Sequence, residues 1–356
     1  MSNPSGRRIR LSSLLLVIAF ICIISAVIIP RLRPVHPKRP RVVVYAAQDQ
    51  VYAEPILREF EKETGIKVET VFDNELVKTV GLANRLLAER SHPQCDVFWG
   101  NEEMRTRLLA AQGVFRETNG WAAFGYRSRR IVINTNFVSI GSRRGNGADH
   151  ASSATNPPPH VGGYNAPASL LELTNEIWRG KVALAFPQFG TTATHFHALR
   201  QLWGEERWLA WCRALAANKP FIVDGNSVVV KQVARGEAWI GLTDSDDVFA
   251  GQREGAPIAM LPISEEQLLI PNTVGVIRNA PHPANAQKLF EYLQRREVAE
   301  KLVQANALES SDGRAPQGPN SKDGASQRSA LRQPDWDALL RDLETTTKQL
   351  NEIFLR

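Results

Sequence analysis

Carboxylates and amides gather where four predicted strands end. The strand at 41–46 runs into Gln48 and Asp49, that at 66–72 into Asp73 and Glu75, that at 96–99 into Asn101 and Glu102, and that at 239–242 into Asp244, Asp246 and Asp247. In open α/β sheets ligands sit beyond the carboxyl ends of strands, so acids recurring there point to one shared, cation-seeking cleft. Carboxylate oxygens are hard donors. Asp49, Glu102, Asp244, Asp246 and Asp247 therefore form a candidate set for iron, calcium or magnesium, held directly or through water. The same acids suit the ammonium groups of an organic cation such as a polyamine, with Tyr45, Trp99 or Phe249 as aromatic faces. A plainer role also stands open: acids start helices well, so Asp244 to Asp247, Asp73 and Glu75 serve equally as caps of the helices that follow.

A second group of residues suits an anion. Phe189-Gly190-Thr191-Thr192 opens a predicted helix, and the free N–H groups and dipole of such an end attract negative charge. The alternative is that Thr191 or Thr192 is a simple N-cap. His195 and His197 lie two residues apart, which does not place both on one helical face, so a bihistidine metal site is not expected, and His195 alone is a candidate for the cleft. Arg127, Arg129 and Arg130 precede an apolar strand at 131–134; one of them reaches the anion, or the run is a solvated surface. Carboxylates with a metal can also activate water. The chain holds no Gly-x-Ser-x-Gly, no His-Glu-x-x-His and no Gly-rich loop ending in Lys-Ser or Lys-Thr, so no enzyme is predicted.

The elements that must position these residues alternate. Strands at 41–46, 66–72 and 96–99 are separated by helices at 52–64, stopped by Gly65, and at 75–89, which argues for a sheet covered by helices. A strand at 131–134 is read as crossing between two lobes. Residues 139–163, rich in Gly, Ser, Asn and Pro, read as a mobile insertion. Helices at 169–176, 194–202, 205–217 and 228–235 and strands at 181–185, 239–242 and 258–261 form the second alternation, and 310–329 is a low-complexity linker. The chain closes on a helix from 335 onward whose Trp336, Leu339, Leu340, Leu343, Leu350 and Phe354 form one apolar stripe, read as core packing. The expected division is a signal or anchor with a Pro-rich spacer at 1–40, a first lobe of 41–130 with about 270–306, and a second lobe of 131–269 with 307–356.

Composition narrows the class. The chain has 356 residues, 43% of them apolar and 22% charged, enough to bury a core larger than one typical domain. Its formal charge of +6 belongs to the first 41 residues, which hold eight Arg/Lys and no acid; the remainder carries about −2. Nucleic acid is therefore excluded as a partner, since no basic patch interleaved with aromatics remains. Arg7, Arg8 and Arg10 followed by an apolar run at 11–29 read as a signal or, with its poor cleavage site, a retained inner-membrane anchor. The four prolines at 30–40 read as a stiff spacer, and the body is placed outside the cytoplasm. Cys22, Cys95 and Cys212 support no disulfide framework.

The order of segments resembles a known family. Tyr45 to Asp49 before a helix, Glu63-Thr64-Gly65-Ile66-Lys67-Val68, Asp96-Val97-Phe98-Trp99, Arg235-Gly236-Glu237-Ala238-Trp239-Ile240-Gly241-Leu242 and Pro271-Asn272-Thr273-Val274 are similar to bacterial extracellular solute-binding proteins over about 41–307, and among these to the ferric-ion-binding receptors of ABC importers. The resemblance implies an α/β, two-lobed type II periplasmic-binding-protein fold, each lobe a mixed sheet flanked by helices, here preceded by an N-terminal membrane segment. It implies a monomer that closes over a small solute and delivers it to an ABC permease in the inner membrane, without catalysis. In the ferric branch an early acid or histidine, a later carboxylate and a pair of tyrosines bind the metal. The first position falls on Asp49 and the second on Asn101 or Glu102, while the tyrosine pair is replaced within Asp244-Ser245-Asp246-Asp247. Asn226 matches the position of an anion-contacting asparagine, implying a seat for a synergistic carbonate or phosphate. The functional expectation is capture of a metal ion such as Fe3+ with that anion. The alternatives are an organic cation, or a tethered sensor reporting its ligand to a membrane partner.

Overall fold

The computed structural model describes residues 39–72, 80–140, 164–261, 266, 268–311 and 334–355. The leader at 1–38, Asp73 and Glu75, most of the insertion and most of the linker lie outside these residues. Among the described residues no helix is long and apolar enough to cross a membrane.

In chain order the elements are β1 (Arg41–Ala46), α1 (Gln50–Thr64), β2 (Lys67–Phe72), α2 (Val80–Ala88), β3 (Val97–Gly100), α3 (Glu103–Ala111), β4 (Trp121–Asn134), β5 (Val138–Ser139) and β6 (Tyr164–Asn165). Two short 3-10 turns follow, then β7 (Val182–Ala185), α4 (Gly190–Trp203), α5 (Glu205–Ala217), β8 (Phe221–Val223), α6 (Asn226–Ala234), β9 (Ile240–Asp244), α7 (Ser245–Arg253) and β10 (Ile258–Leu261). The chain ends with β11 (Leu269–Val276), α8 (Pro283–Leu293), α9 (Arg296–Gln304), α10 (Trp336–Arg341) and α11 (Leu343–Phe354).

Nine of the described strands make one mixed sheet in the order β2-β1-β3-β11-β4-β9-β7-β8, with β10 also on β4, while β5 and β6 pair with each other in a separate parallel ribbon. β1 runs parallel to β2 and β3, and β7 parallel to β8 and β9, whereas β4 is antiparallel to every strand beside it. The spine is β4. Its residues up to Ser128 pair with β11, and from Arg129 onward they pair with β9. This strand is therefore far longer than the apolar run at 131–134 indicated, because β-pairing on both sides carries polar residues that hydropathy alone would leave in a loop.

Each half of the sheet has its own core. Val42, Val44, Phe98, Phe60, Leu293 and their neighbours fill the first. In the second half Leu184, Trp208, Leu215 and Leu242 pack on one face, and Ala183, Val229, Val233 and Val248 on the other. A strand with helices on both sides is buried on both faces, which is why β3 and β7 are apolar throughout rather than alternating. Two glycines set the chain's path. Gly65 ends α1 in the left-handed conformation at φ 70° and returns its N–H to Glu61. Gly125, at φ 60°, sits where the β4–β11 register slips between Pro271 and Asn272, and a Cβ there would lie 2.3 Å from Leu308.

Two expectations change. The single C-terminal stripe is broken at Asp342 into α10 and α11, whose apolar residues go to different places: Leu350 joins the second core, while Trp336 and Leu339 pack with Met104 and Ala193. Ser310, read as the start of the linker, instead bridges to Tyr126 of β4. Cys95 and Cys212 are buried free thiols, and burial raises both pKa values well above the ordinary range.

Candidate functional site

A cavity of about 50 Å³ lies at the strand ends near the middle of the sheet. Asp49, beyond β1, Asn101, beyond β3, and Arg127 of β4 line it from one side. Phe186 and Phe189, the first turn of α4, Asp224 to Asn226 before and at the start of α6, and Asp244, Asp246 and Asp247 line it from the other. Of the residues expected from sequence, Asp49, Asn101, Thr191, Thr192, Asn226, Asp244, Asp246 and Asp247 meet here. Glu102 does not line it, and Asp73 and Glu75 are outside the described residues.

Three helix N-termini converge on the cavity. The N-cap residues of α4, α6 and α7 are Phe189, Gly225 and Asp244, and none makes a side-chain cap. Phe and Gly carry no acceptor to offer, so backbone N–H groups of the first turns are left for other partners. The threonine-cap alternative is corrected by this geometry: Thr191 and Thr192 lie inside the first turn of α4, and their hydroxyls turn to side chains instead.

Asp244 is the centre of a buried network. Its Oδ1 accepts from Arg129 Nη1 at 2.7 Å, and its Oδ2 accepts from the Thr191 hydroxyl at 2.6 Å and Asn226 Nδ2 at 3.1 Å. Arg127 Nε stands 3.4 Å from the same oxygen. Arg129 Nη1 also donates to Asn226 Oδ1 at 3.0 Å, and Asn226 Nδ2 to Thr191 Oγ1 at 3.0 Å, which closes the network on itself. Burial opposes the charge on Asp244, but Arg129 and then Arg127 outweigh it and hold the pKa below the usual carboxylate value. Asp244 therefore occupies an N-cap position without capping, and both its oxygens are engaged within this network.

The arginines are the residues that sequence reading underrated. Arg127 and Arg129 are 3% and 1% exposed, far from a solvated charge run. Arg127 Nη1 meets Asp246 at 3.2 Å and its Nη2 donates to the Asn101 carbonyl at 3.0 Å. Burial works against its charge, yet Asp246, Asp244, Asp49 and Asp247 together raise its pKa, so four cavity acids act on one guanidinium. The available signal was alternation: residues 127 and 129 fall on one face of a strand, 128 and 130 on the other. On that other face Arg130 pairs with Glu309 at 2.8 Å and Ser128 donates to Glu309 at 2.6 Å.

Asp244, Asp246 and Asp247 each present an oxygen, all within 4.8 Å of one another. Asp247 accepts the Thr243 hydroxyl at 3.5 Å. Glu102 has a different task. It caps α3 by accepting from the Arg105 N–H at 3.0 Å, and Thr194 of α4 donates to it at 3.0 Å; burial pushes its carboxyl up to about 7. His195 donates to, and is fixed by, the Glu266 carbonyl at 3.0 Å, so neither it nor His197 lines the cavity, and burial lowers both imidazoles to about 3. Of the aromatic faces expected from sequence, Tyr45, Trp99 and Phe249 are all absent from the cavity lining. Tyr45 and Trp99 are core residues, Tyr45 donating to Glu89 at 2.8 Å, and the aromatic rings at the cavity are Phe186 and Phe189.

Among curated relatives, an Fe(3+)-binding periplasmic protein of Serratia marcescens is 25% identical over 277 residues, 75% of this chain and 78% of that protein. Iron-bound HitA from Pseudomonas aeruginosa superposes with a TM-score of 0.71 at 17% identity, covering 88% of this chain and 99% of its own. The periplasmic binding protein AfuA from Actinobacillus pleuropneumoniae, with exogenous fructose-6-phosphate bound, gives a TM-score of 0.71 at 18% identity, covering 89% and 99%. At these identities the structures establish the α/β fold. A family profile described as bacterial extracellular solute-binding protein matches residues 41–305, almost the whole described body, and the chain belongs to that family.

Proposed function

We propose that this protein is the solute-capturing component of an ABC importer and that its cavity takes a hard metal cation, ferric iron foremost, together with a small anion. The observation that carries the reading is the meeting of acids and uncapped helix N-termini around one small space. Asp49, Asp246 and Asp247 supply oxygen donors, while the first turns of α4 and α6, with Thr192 and Asn226, supply donors to an oxyanion. Charge favours a cation. Among the described residues Asp49, Asp224, Asp244, Asp246 and Asp247 face Arg127 and, through Asp244, Arg129, which leaves three formal negative charges to be neutralised.

Capture works by population shift: the two halves of the sheet act as lobes hinged about β4, and the acids beyond β1 and β9 are brought together most stably when a cation lies between them. The leader read from sequence would keep the body in the extracytoplasmic space facing a permease. The names of the Serratia and Pseudomonas proteins support iron as the cargo.

A second reading rests on the buried arginines. Arg127 and Arg129 beside two helix N-termini also form a receptor for a phosphate-bearing solute, in keeping with the sugar phosphate in the AfuA structure. A thermal-shift screen separates the two. Ferric citrate with and without bicarbonate, divalent metals, polyamines, inorganic phosphate and fructose-6-phosphate are tested on one plate. A ligand at a hundred times its Kd adds about 2.7 kcal/mol of stability. A shift with ferric iron that requires bicarbonate is expected; a shift with the phosphate ester alone would replace the metal reading with the second.

A further inference from the structure

The C-terminal helices hold to one half of the sheet and reach the other. α11 lies on the second half: Leu350 is in its core, Phe354 meets Phe196 edge-on at 5.9 Å, and Gln349 donates to Glu205 at 2.7 Å. The ends of α10 are tied to the same half. Gln201 of α4 both donates to the Asp335 carbonyl at 2.7 Å and accepts from the Asp335 N–H at 3.1 Å, and Arg200 pairs with Asp342 at 2.7 Å.

The apolar face of α10 does something else. Trp336 and Leu339 pack with Ala193 of α4 and with Met104 of α3, a helix whose Leu109 belongs to the first core. Arg107 of α3 lies over the Trp336 ring at 5.3 Å, braced by an ion pair to Glu103. Met104 is only 1% exposed, and α10 helps cover it. Beside this contact Thr194 of α4 donates to Glu102 at the start of α3. On α7, Arg253 donates to Tyr52 of α1 at 3.0 Å. Among the described residues the halves therefore touch through polar bonds, these two among them, and through an apolar cluster that a third element supplies.

We propose that α10 is a clasp: anchored to the second half, it grips α3 through Trp336 and Leu339 and sets how readily the two halves separate. This rests on the reading that they move about β4. Separation requires Trp336 to leave Met104 and Arg107, exposing apolar surface on both sides, so the clasp biases the protein toward closure before any ligand adds its own share. Apparent affinity for a ligand that needs the closed form scales with the closed fraction, so the clasp tunes affinity without touching the cavity.

The test uses spin labels at Gln112 and Arg207, exposed positions flanking the clasp, in the full chain with Cys22 replaced by serine. Electron–electron distance distributions are compared for the parent, Trp336→Ala, and the milder Arg107→Gln, which removes the cation–ring contact and leaves the apolar cluster. A second, longer population in Trp336→Ala and a smaller one in Arg107→Gln are expected, with heat unfolding still cooperative in both. An unchanged distribution in both variants overturns the clasp. A third protein, combining Trp336→Ala with Thr194→Ala and Arg253→Ala, locates such a failure. If it opens while Trp336→Ala does not, the clasp fails and the hinge stands; if it also stays at one distance, the hinge reading fails with it.

Discussion

Asp244 and Asp49 both follow a strand of the sheet and both line the cavity, yet they are held in opposite ways. Asp244, 2% exposed at the end of β9, accepts from Arg129, Thr191 and Asn226 and lies against Arg127. Asp49, half-buried beyond β1, starts α1 through its backbone carbonyl, which accepts from Tyr52 and Ala53, and its side chain makes no cap. The wall around β9 is thus preorganised: its charges, hydroxyls and helix ends fix one another. The wall around β1 presents its acid from the more open side. A site divided in this way reads one part of the ligand with a rigid surface and secures the rest with groups that can adjust, which lowers the ordering cost at the rigid side.

Breaking the rigid wall has the largest expected effect. Asp244→Ala leaves two buried guanidinium groups without their shared carboxylate, and removing one partner of such a group costs about 3–5 kcal/mol. Chemical denaturation should show that loss together with the loss of any ligand-induced thermal shift. Asp244 is consequently a poor position for isolating binding from folding. A normal denaturation midpoint in Asp244→Ala would mean that the arginines find other partners and that the wall is not the rigid one.

The next effect comes from Glu102, which joins α3 to α4 just outside the cavity. Its carboxyl is raised by burial from 4.5 to about 7, so the folded protein holds a proton that the unfolded chain releases between these values. Its stabilising contribution is then complete below about pH 4.5 and is lost as pH rises through 7, a swing on the order of 3 kcal/mol by linkage. His195 and His197, lowered to about 3, run the other way, destabilising the fold as pH falls below their ordinary value. The difference in unfolding free energy between the parent and Glu102→Gln isolates the carboxyl. That difference should change between pH 4.5 and 7, and a pH-independent difference would show that the carboxyl binds its proton equally in the folded and unfolded chain.

What could be read from the sequence follows the same division. β1, α1 and β3 were legible because local pattern decides them: a β-branched run, an apolar helical stripe ended by Gly65, and a short buried strand. The acids beyond β1 and β9 were legible because strand ends collect ligand-facing groups. What escaped was set by contacts far apart in the chain. Arg127 and Arg129 look like surface charge until Asp244 and Asp246, more than a hundred residues on, are placed against them. Glu102 looks like one more ligand acid until Thr194 is seen to hold it. The C-terminal stripe looks continuous because both of its helices are amphipathic, and only packing assigns Trp336 and Leu350 to different clusters.

The smaller effects sharpen the comparison from the adjustable side. Asp49→Asn keeps the shape of the side chain and removes the charge. It should weaken ferric citrate binding in the presence of bicarbonate about tenfold or more, the 1.4 kcal/mol that one charged contact readily supplies, while the denaturation midpoint stays in place. A fall in stability comparable to that of Asp244→Ala would show that the two walls are built alike. Glu69→Gln fixes the lower end of the scale. Glu69 pairs with Arg41 at 3.2 Å, but the two side chains are 40% and 49% exposed, where water screens both charges and two long chains must be ordered to meet. Its loss should cost less than about 1 kcal/mol and leave binding unchanged. Asp244, Asp49 and Glu69 then form a series in which the chemistry removed is the same carboxylate and the surroundings differ. If stability falls substantially only at Asp244 while binding falls only at the first two, the surroundings decide what each acid does.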